Sequence, residues 1–304
     1  MKIKELFNLE TKRLNESKIE DANIIAKSLI KYVLKLTDND LIVKQNNEVE
    51  SNNQKEYEEY INQIIEGTPL QYITNKQEFY KQEFYVDEDV LIPQPDTEIL
   101  VEEVINIAPK DQKLNILDIC TGSGAIGISL ANNIKNADVT LVDVSSDALE
   151  VAEINCDSIF ENKITEKAYE NEAEVYLLEE NGMKQNIKLH QSDMFDELEE
   201  EFDIIVSNPP YIKTKEIKQL SKQVKNEPRI ALDGGEDGLY YYRVLIDESH
   251  KFLSDDGYLC IEIGYDQKTE VIKLLEESGM YKNIYSKKDL AGNDRIVIAQ
   301  RIEG

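Results

Sequence analysis

From Ala22 the apolar residues Ala22, Ile25, Ala26, Leu29, Ile30, Val33 and Leu34 recur at steps of three and four, and Tyr57, Tyr60, Ile61, Ile64 and Ile65 repeat that spacing. The period lays an apolar stripe along each segment and predicts two amphipathic helices. Between them residues 45–54 (QNNEVESNNQ) are too polar to pack and read as a loop, while Gly67, Thr68 and Pro69 stop the second helix. Residues 1–75 are therefore expected to form a small all-helical domain. At 77–92 (QEFYKQEFYVDEDVLI) two aromatic, β-prone runs flank a short polar stretch, which predicts a connecting β-hairpin within the linker 76–92.

Beyond residue 93 the rhythm changes. Short apolar runs at Leu114–Ile119, Val139–Val142, Ile187–Leu189, Phe202–Val206, Tyr258–Ile263 and Arg295–Ala299 alternate with helix-length segments. That is the pattern of a Rossmann-like, doubly wound α/β domain with a mostly parallel sheet, spanning 93–304. Residues 161–185 (ENKITEKAYENEAEVYLLEENGMKQ) exceed the helix and turn that normally join the second and third strands, and read as an acidic insertion.

A chain of 304 residues suits two domains. Its formal net charge of -27 is unevenly spread: residues 1–75 carry 10 Lys/Arg and 13 Asp/Glu, whereas 76–304 carry 24 and 48. The block 193–203 (DMFDELEEEFD) alone holds seven acids and no base. Such a surface repels phosphate backbones and argues against nucleic acid as a partner. Cys120, Cys156 and Cys260 are odd in number and lack a CxxC spacing, so neither a disulfide framework nor a thiolate metal site is expected. The start lacks the order of a signal peptide and no apolar run approaches ~18 residues, so a cytoplasmic protein without membrane attachment is expected.

The chemistry begins at LNILDICTGSGAIGISLANNI, where Gly122, Gly124 and Gly127 form G-x-G-x-x-G after a predicted strand and at the start of a helix. Glycines there let backbone N–H groups approach a ligand, with the helix N-terminus adding positive potential. Asp143 ends the next strand, where a carboxylate can accept from ribose hydroxyls. A dinucleotide and S-adenosylmethionine both fit this loop. Asp118 favours the latter, because a carboxylate ~4 Å from a sulfonium is worth ~4 kcal/mol at an effective dielectric of 20; its alternative role is to cap the strand end. After the strand FDIIVS come Asn208, Pro209, Pro210 and Tyr211, at the sheet edge where α/β proteins bind ligands. Two prolines remove two donors and fix two φ angles, leaving a stiff corner of hydrogen-bond acceptors. The Asn208 side-chain oxygen and the Pro209 carbonyl can both accept from one NH2 group, with the Tyr211 ring over a planar amide or base.

With these motifs stand TPLQYITNKQEFY, VLIPQPDTEILVE, EPRIALDGGEDGLYYYR, GYLCIEIGYDQ and DLAGNDRIVIAQR. From about residue 67 to 301 the chain resembles the HemK/PrmC family, class I methyltransferases that act on the glutamine side-chain nitrogen in the Gly-Gly-Gln loop of peptide chain release factors. The resemblance implies S-adenosylmethionine as cofactor and S-adenosylhomocysteine as product. It implies a cofactor loop of Cys120, Thr121, Gly122, Ser123 and Gly124, a ribose acid at Asp143, and Met194 beside adenine. Asn208, Pro209, Pro210 and Tyr211 become the substrate corner, with Asn208 also near the cofactor. Three positions depart from the family: Cys120 where glycine is frequent, Gln94 where arginine is frequent, and Met194 where an aromatic is common. Met194 then covers adenine by dispersion instead of ring stacking.

Other readings share parts of this pattern. An adenine N6-type nucleic acid methyltransferase fits the same corner after base flipping, but the acidic catalytic domain and the few arginines oppose it. A nicotinamide-dependent oxidoreductase gives the corner no purpose, and a cofactor-binding interaction protein gives it no turnover. His190 and His250, the only histidines, are too isolated for a triad or a metal site, and no metal is expected.

Overall fold

The computed structural model describes residues 1–170 and 173–303; positions 171–172, inside the 161–185 segment, and residue 304 lie outside the described residues. The chain divides into two compact units, Met1–Lys76 with Ser221–Asn226, and Gln77–Leu220 with the chain from Glu227 onward.

In the first unit α1 (Ile3–Glu16), α2 (Ala22–Leu34), α3 (Asp38–Val43), α4 (Ser51–Glu66) and α5 (Leu70–Thr74) succeed one another. The 22–34 stripe is buried as its spacing requires, together with Leu6 and Leu14 from α1 and Tyr57, Ile61 and Ile64 from α4. The Tyr57 hydroxyl donates to the Ala26 carbonyl at 3.0 Å, so its one polar atom is satisfied inside the bundle. The 45–54 loop is shorter than its composition suggests, because Ser51–Gln54 supply the solvated first turn of α4.

The second unit opens with β1 (Gln77–Phe79) and β2 (Gln82–Phe84), an antiparallel hairpin turned at Tyr80 and Lys81, both with positive φ. The hairpin expected over 77–92 thus closes by Phe84. Residues 85–92 instead run as a loop that buries Val86, Val90 and Ile92. After a 3-10 turn (Pro95–Thr97) come α6 (Glu98–Ile107), β3 (Leu114–Ile119), α7 (Ala125–Asn133), β4 (Ala137–Asp143) and α8 (Ser146–Phe160). The insertion follows as β5 (Ile164–Glu170) and β6 (Ala173–Glu180) and leads into β7 (Met183–Gln191), the strand expected at Ile187–Leu189; then come β8 (Phe202–Ser207), α9 (Lys222–Lys225, within the first unit), α10 (Tyr240–Phe252), β9 (Leu253–Glu262), α11 (Lys268–Ser278), β10 (Tyr281–Lys288) and β11 (Asp294–Arg301).

These strands form a nine-stranded mixed sheet of order β10-β11-β9-β8-β3-β4-β7-β6-β5. The five central strands, β9 to β7, are parallel, and both margins are antiparallel. The acidic segment 161–185 therefore extends the sheet by a hairpin, with Ala173, Tyr176 and Leu178 buried at alternate or near-alternate positions. Leu114 and Ile116 face one core with α6, α7 and α8; Leu117 and Ile119 face the other with α10 and α11. The chain leaves β3 toward β4 and returns on its other side as β8, so the carboxyl ends of β3 and β8 open a crevice at a topological switch point. Among the described residues no helix is long and apolar enough to cross a membrane.

Candidate functional site

At that crevice lies a cavity whose wall includes Cys120–Ser123 after β3, Asp143 at the end of β4, Met194 after β7, and Asn208 and Pro210 after β8. Four sequence segments far apart in the chain thus meet in one place. Phe79, Gln94, Thr97, Ile230 and Tyr241 also line it. Asp118, Gly124, Pro209 and Tyr211 do not; they stand behind the wall.

The loop after β3 is held from beneath. Asp118 is fully buried, and its Oδ2 accepts from the Thr121 hydroxyl at 2.7 Å and from the Gly127 N–H at 2.9 Å. The carboxylate therefore clamps both ends of the turn instead of forming its surface, the strand-end role. A Cβ on Gly127 would lie 2.1 Å from Leu141 Cδ2 and 3.1 Å from Asp118 Oδ2, so only glycine lets α7 approach β4 this closely. Burial pushes the Asp118 pKa up to about 7, against the lowering effect of those two hydrogen bonds. Its Oδ1 has no partner among the described residues.

Asp143 turns to the cavity. Its Oδ2 accepts from the Gly122 N–H at 2.9 Å and its Oδ1 from the Ser145 N–H at 3.0 Å. Burial raises its pKa, and the backbone donors of Ser145, Gly122 and Val144 oppose that rise. Each carboxylate oxygen retains lone pairs for hydroxyl donors. Gly122 has φ +53 and nothing within 4 Å of where a Cβ would sit, so the loop leaves open space beside this acid. Cys120 takes φ 60, and its Sγ lies 3.9 Å from Met194 Sδ. Burial followed by Asp143 and Asp118 drives its thiol pKa far up, so it behaves as a small apolar wall group. Loop, acid and Met194 together fit a nucleoside with a polar ribose and an apolar base.

At the opposite side the Asn208 Nδ2 donates to Thr97 Oγ1 at 3.4 Å. This leaves the Asn208 Oδ1 as an acceptor at the cavity. The corner is braced: Ser207 Oγ donates to the Ile119 carbonyl at 2.7 Å, tying the end of β8 to β3. Gln267 Nε2 donates to the carbonyls of Tyr211 and Gly238, both at 3.0 Å, while its Oε1 accepts from the Gly264 N–H and the Tyr242 hydroxyl. Gly234 packs under the corner, where a Cβ would fall 2.6 Å from Tyr211 Cα and 2.8 Å from the Pro210 carbonyl oxygen. The Tyr211 ring packs into the α10–α11 core and its hydroxyl reaches Glu262 Oε1 at 3.4 Å. Burial, then Glu262, raises its pKa.

Thr97, Gly234, Glu262 and Gln267 carry no role that the sequence alone declares. All four lie inside the segments that carry the family resemblance, but their function depends on contacts between distant strands. Among the described residues His190 is buried with no hydrogen-bond partner at either ring nitrogen, and no group of His, Cys, Asp and Glu suited to a metal ion occurs.

Family models match three parts of the chain: the PrmC N-terminal domain over residues 5–74, the methyltransferase small domain over 94–176, and the Eco57I restriction-modification methylase over 137–264. A release factor glutamine methyltransferase of Clostridium acetobutylicum is 40% identical over 291 residues, covering 94% of this chain and 93% of the relative. A second, from Fusobacterium nucleatum, is 35% identical over 301 residues, covering 98% and 78%. A methyltransferase structure from Pyrococcus furiosus superposes with a TM-score of 0.50 at 17% identity, covering 81% of this chain and 99% of that one, a likeness of fold. The restriction-modification match contains the whole Asn208–Tyr211 corner, so the corner by itself does not select a substrate.

Proposed function

The chain belongs to the release factor glutamine methyltransferase family, and from that premise we propose that the Asn208 corner receives the glutamine side chain of a release factor's Gly-Gly-Gln loop. The chain is an S-adenosylmethionine-dependent protein-(glutamine-N5) methyltransferase. The observation that carries the site assignment is the Asn208 Oδ1, left free as an acceptor at the same cavity as Asp143 and the glycine loop.

S-adenosylmethionine supplies an activated methyl group on a sulfonium. In this reading Asp143 accepts from the ribose hydroxyls, Gly122 and Ser123 admit the ligand closely, and Met194 and Cys120 cover the base. Asp118 acts through the loop it clamps. An amide nitrogen is a poor nucleophile because its lone pair is delocalised, so positioning carries most of the work; in the best intramolecular cases alignment supplies ~7–11 kcal/mol. Asn208 Oδ1 accepts from the glutamine NH2 and fixes its plane, and the Pro209 carbonyl is the second acceptor in this reading, although Pro209 itself is not among the residues that line the cavity. Positive charge develops on that nitrogen only in the transition state, so these acceptors lower the barrier itself. Pro209 and Pro210 keep them rigid, and Tyr211 anchors the corner through its hydroxyl and its carbonyl. The proton leaves to water after transfer, and no general base is invoked. We place this work in the cytoplasm, without stable nucleic acid binding.

The test is to incubate the protein with labelled S-adenosylmethionine and, separately, release factor, release factor with the Gly-Gly-Gln glutamine replaced, and nucleic acid, then to locate added methyl by mass spectrometry. Label confined to the intact glutamine is expected. Label on nucleic acid alone, or indifferent to the glutamine, would overturn the reading.

A further inference from the structure

One wall of the cavity is neither helix nor strand. Between β2 and the 3-10 turn at Pro95–Thr97 the chain runs as a strap without regular structure, and its residues Asp89, Val90, Leu91, Pro93 and Gln94 line the cavity together with Thr97. A wall built from loop has no ladder of backbone pairs to hold it and opens easily unless other bonds tie it down. The start of the strap is tied by Asn155 of α8, which is fully buried. Its Oδ1 accepts from the Tyr85 N–H at 2.6 Å, and its Nδ2 donates to the carbonyls of Tyr85 at 3.0 Å and of Ser123, in the glycine loop, at 2.9 Å. The end is tied by Gln77 of β1, whose Nε2 donates to the Pro93 carbonyl at 2.9 Å, and by the turn bond from the Thr97 N–H to the Gln94 carbonyl at 3.0 Å.

Between these anchors the Ile92 N–H donates to Glu227 Oε2 at 3.0 Å, joining residues 135 positions apart. Glu227 is 8% exposed and Ile92 5%, so little water competes for either partner. Just beyond Glu227, Ile230 and Ala231 line the same cavity, in a 3-10 turn closed by the Ala231 N–H on the Pro228 carbonyl at 3.0 Å. The Glu227–Ile92 bond therefore ties together two stretches of wall, 89–91 and 230–231, that no strand pairing connects.

We propose that Glu227 is a positioning residue for cofactor binding: by holding the Ile92 amide it keeps residues 89–91 against the cavity, and so slows the escape of S-adenosylmethionine and of S-adenosylhomocysteine. The inference rests on the reading that this cavity is the cofactor site. The effect falls on binding and not on methyl transfer, because the end of the strap that meets Asn208, through Thr97 Oγ1, keeps the Gln77 bond and its own turn without Glu227. The task needs an acceptor oxygen at this length of side chain, and an amide supplies one as a carboxylate does.

Two variants separate these roles. Glu227→Met keeps the length of the side chain and removes the acceptor, whereas Glu227→Gln keeps both. In calorimetry with S-adenosylhomocysteine, Glu227→Met is expected to weaken binding about tenfold, and Glu227→Gln to stay within about threefold of wild type. Stopped-flow displacement should place the loss in faster dissociation. With saturating cofactor, kcat on release factor should change by less than about threefold in Glu227→Met. Amide hydrogen exchange in cofactor-free protein reads the bond directly. The Ile92 amide should exchange slowly in wild type and Glu227→Gln and at least about tenfold faster in Glu227→Met, while the Tyr85 amide, held by Asn155, keeps its rate. An affinity of Glu227→Met within about threefold of wild type, an equal loss in Glu227→Gln, or a fall in kcat as large as the fall in affinity would each overturn the proposal. So would a wild-type Ile92 amide that exchanges as fast as an exposed one, a result that stands even where Glu227→Met does not fold. The expected exchange pattern in a wild type that binds no S-adenosylhomocysteine would instead overturn the reading of the cavity as the cofactor site, and the proposal with it.

Discussion

The Asn208 Nδ2 donates to Thr97 Oγ1 at 3.4 Å, which turns its Oδ1, an acceptor in its own right, toward the cavity. Replacing Asn208 with alanine removes that side-chain acceptor from the corner, so turnover on release factor is expected to fall ~10²–10³-fold while cofactor binding, measured by calorimetry, changes little. Near-normal turnover would remove Asn208 from the mechanism. The buried carboxyls make a second prediction at this scale. Asp118, Glu227 and Glu262 each have a pKa pushed up to about 7, with burial as the leading cause. Between about pH 4 and 7 the folded chain holds more protons than the unfolded one, so these groups make stability fall as pH rises through that window and level off above it. The melting temperature of cofactor-free protein should be lower at about pH 8 than at about pH 5.5. Asp118→Asn, which keeps an acceptor for Thr121 and Gly127, should narrow the difference. A melting temperature that climbs across that interval contradicts this. Residue identities at the site were legible because glycine, proline and a strand-end acid act locally; the strand-end position of Asp118 was legible too, but its inward orientation depends on the path of α7.

Elements differ in how plainly they declare themselves. β3 announces itself as Leu114–Ile119 because a strand buried on both faces is mostly apolar, here interrupted only by exposed Asn115 and buried Asp118. β5 and β10 are marginal strands with polar, half-solvated sequences, and each carries a register irregularity against its partner, so neither leaves a clean alternation. The segment 232–235 is a further case. Ile212 N–H donates to the Leu232 carbonyl and Gly234 N–H to the Ile212 carbonyl, building a short parallel bridge that supports the corner from outside the main sheet. Its sequence, LDGG, carries no strand signal, and the partner is remote along the chain. Gly234→Ala inserts a methyl group against the Pro210–Tyr211 backbone, which has no flexible side chain to yield. Expected is a loss of kcat on the order of tenfold with S-adenosylmethionine affinity retained, because the glycine loop follows β3 and not β8. Equal loss of cofactor binding would mean that the crevice as a whole has collapsed.

At the scale of the molecule the charge of -27 changes meaning. It is concentrated beyond residue 75, in the part that holds the catalytic cavity, and Asp193 of the acidic 193–203 block lines that cavity. Within this block Met194, Phe195 and Leu198 are buried while Asp196, Glu197, Glu199 and Glu201 are exposed, so the segment is anchored by its apolar residues and presents its acids to solvent. A release factor with a basic surface would be drawn to such a face over a Debye length of ~10 Å at about 0.1 M salt. Raising salt from about 50 to about 300 mM should therefore raise the KM for release factor several-fold with a smaller change in kcat, since screening acts on encounter and not on the aligned amide. Neutralising Glu197, Glu199 and Glu201 together to glutamine should raise KM at low salt and flatten its salt dependence. If KM is already flat in the wild type, steering is excluded and the block serves only as a solvated face. If instead the salt dependence survives the triple substitution, the attraction comes from acids elsewhere on the catalytic unit and the 193–203 block is not where the partner is drawn in.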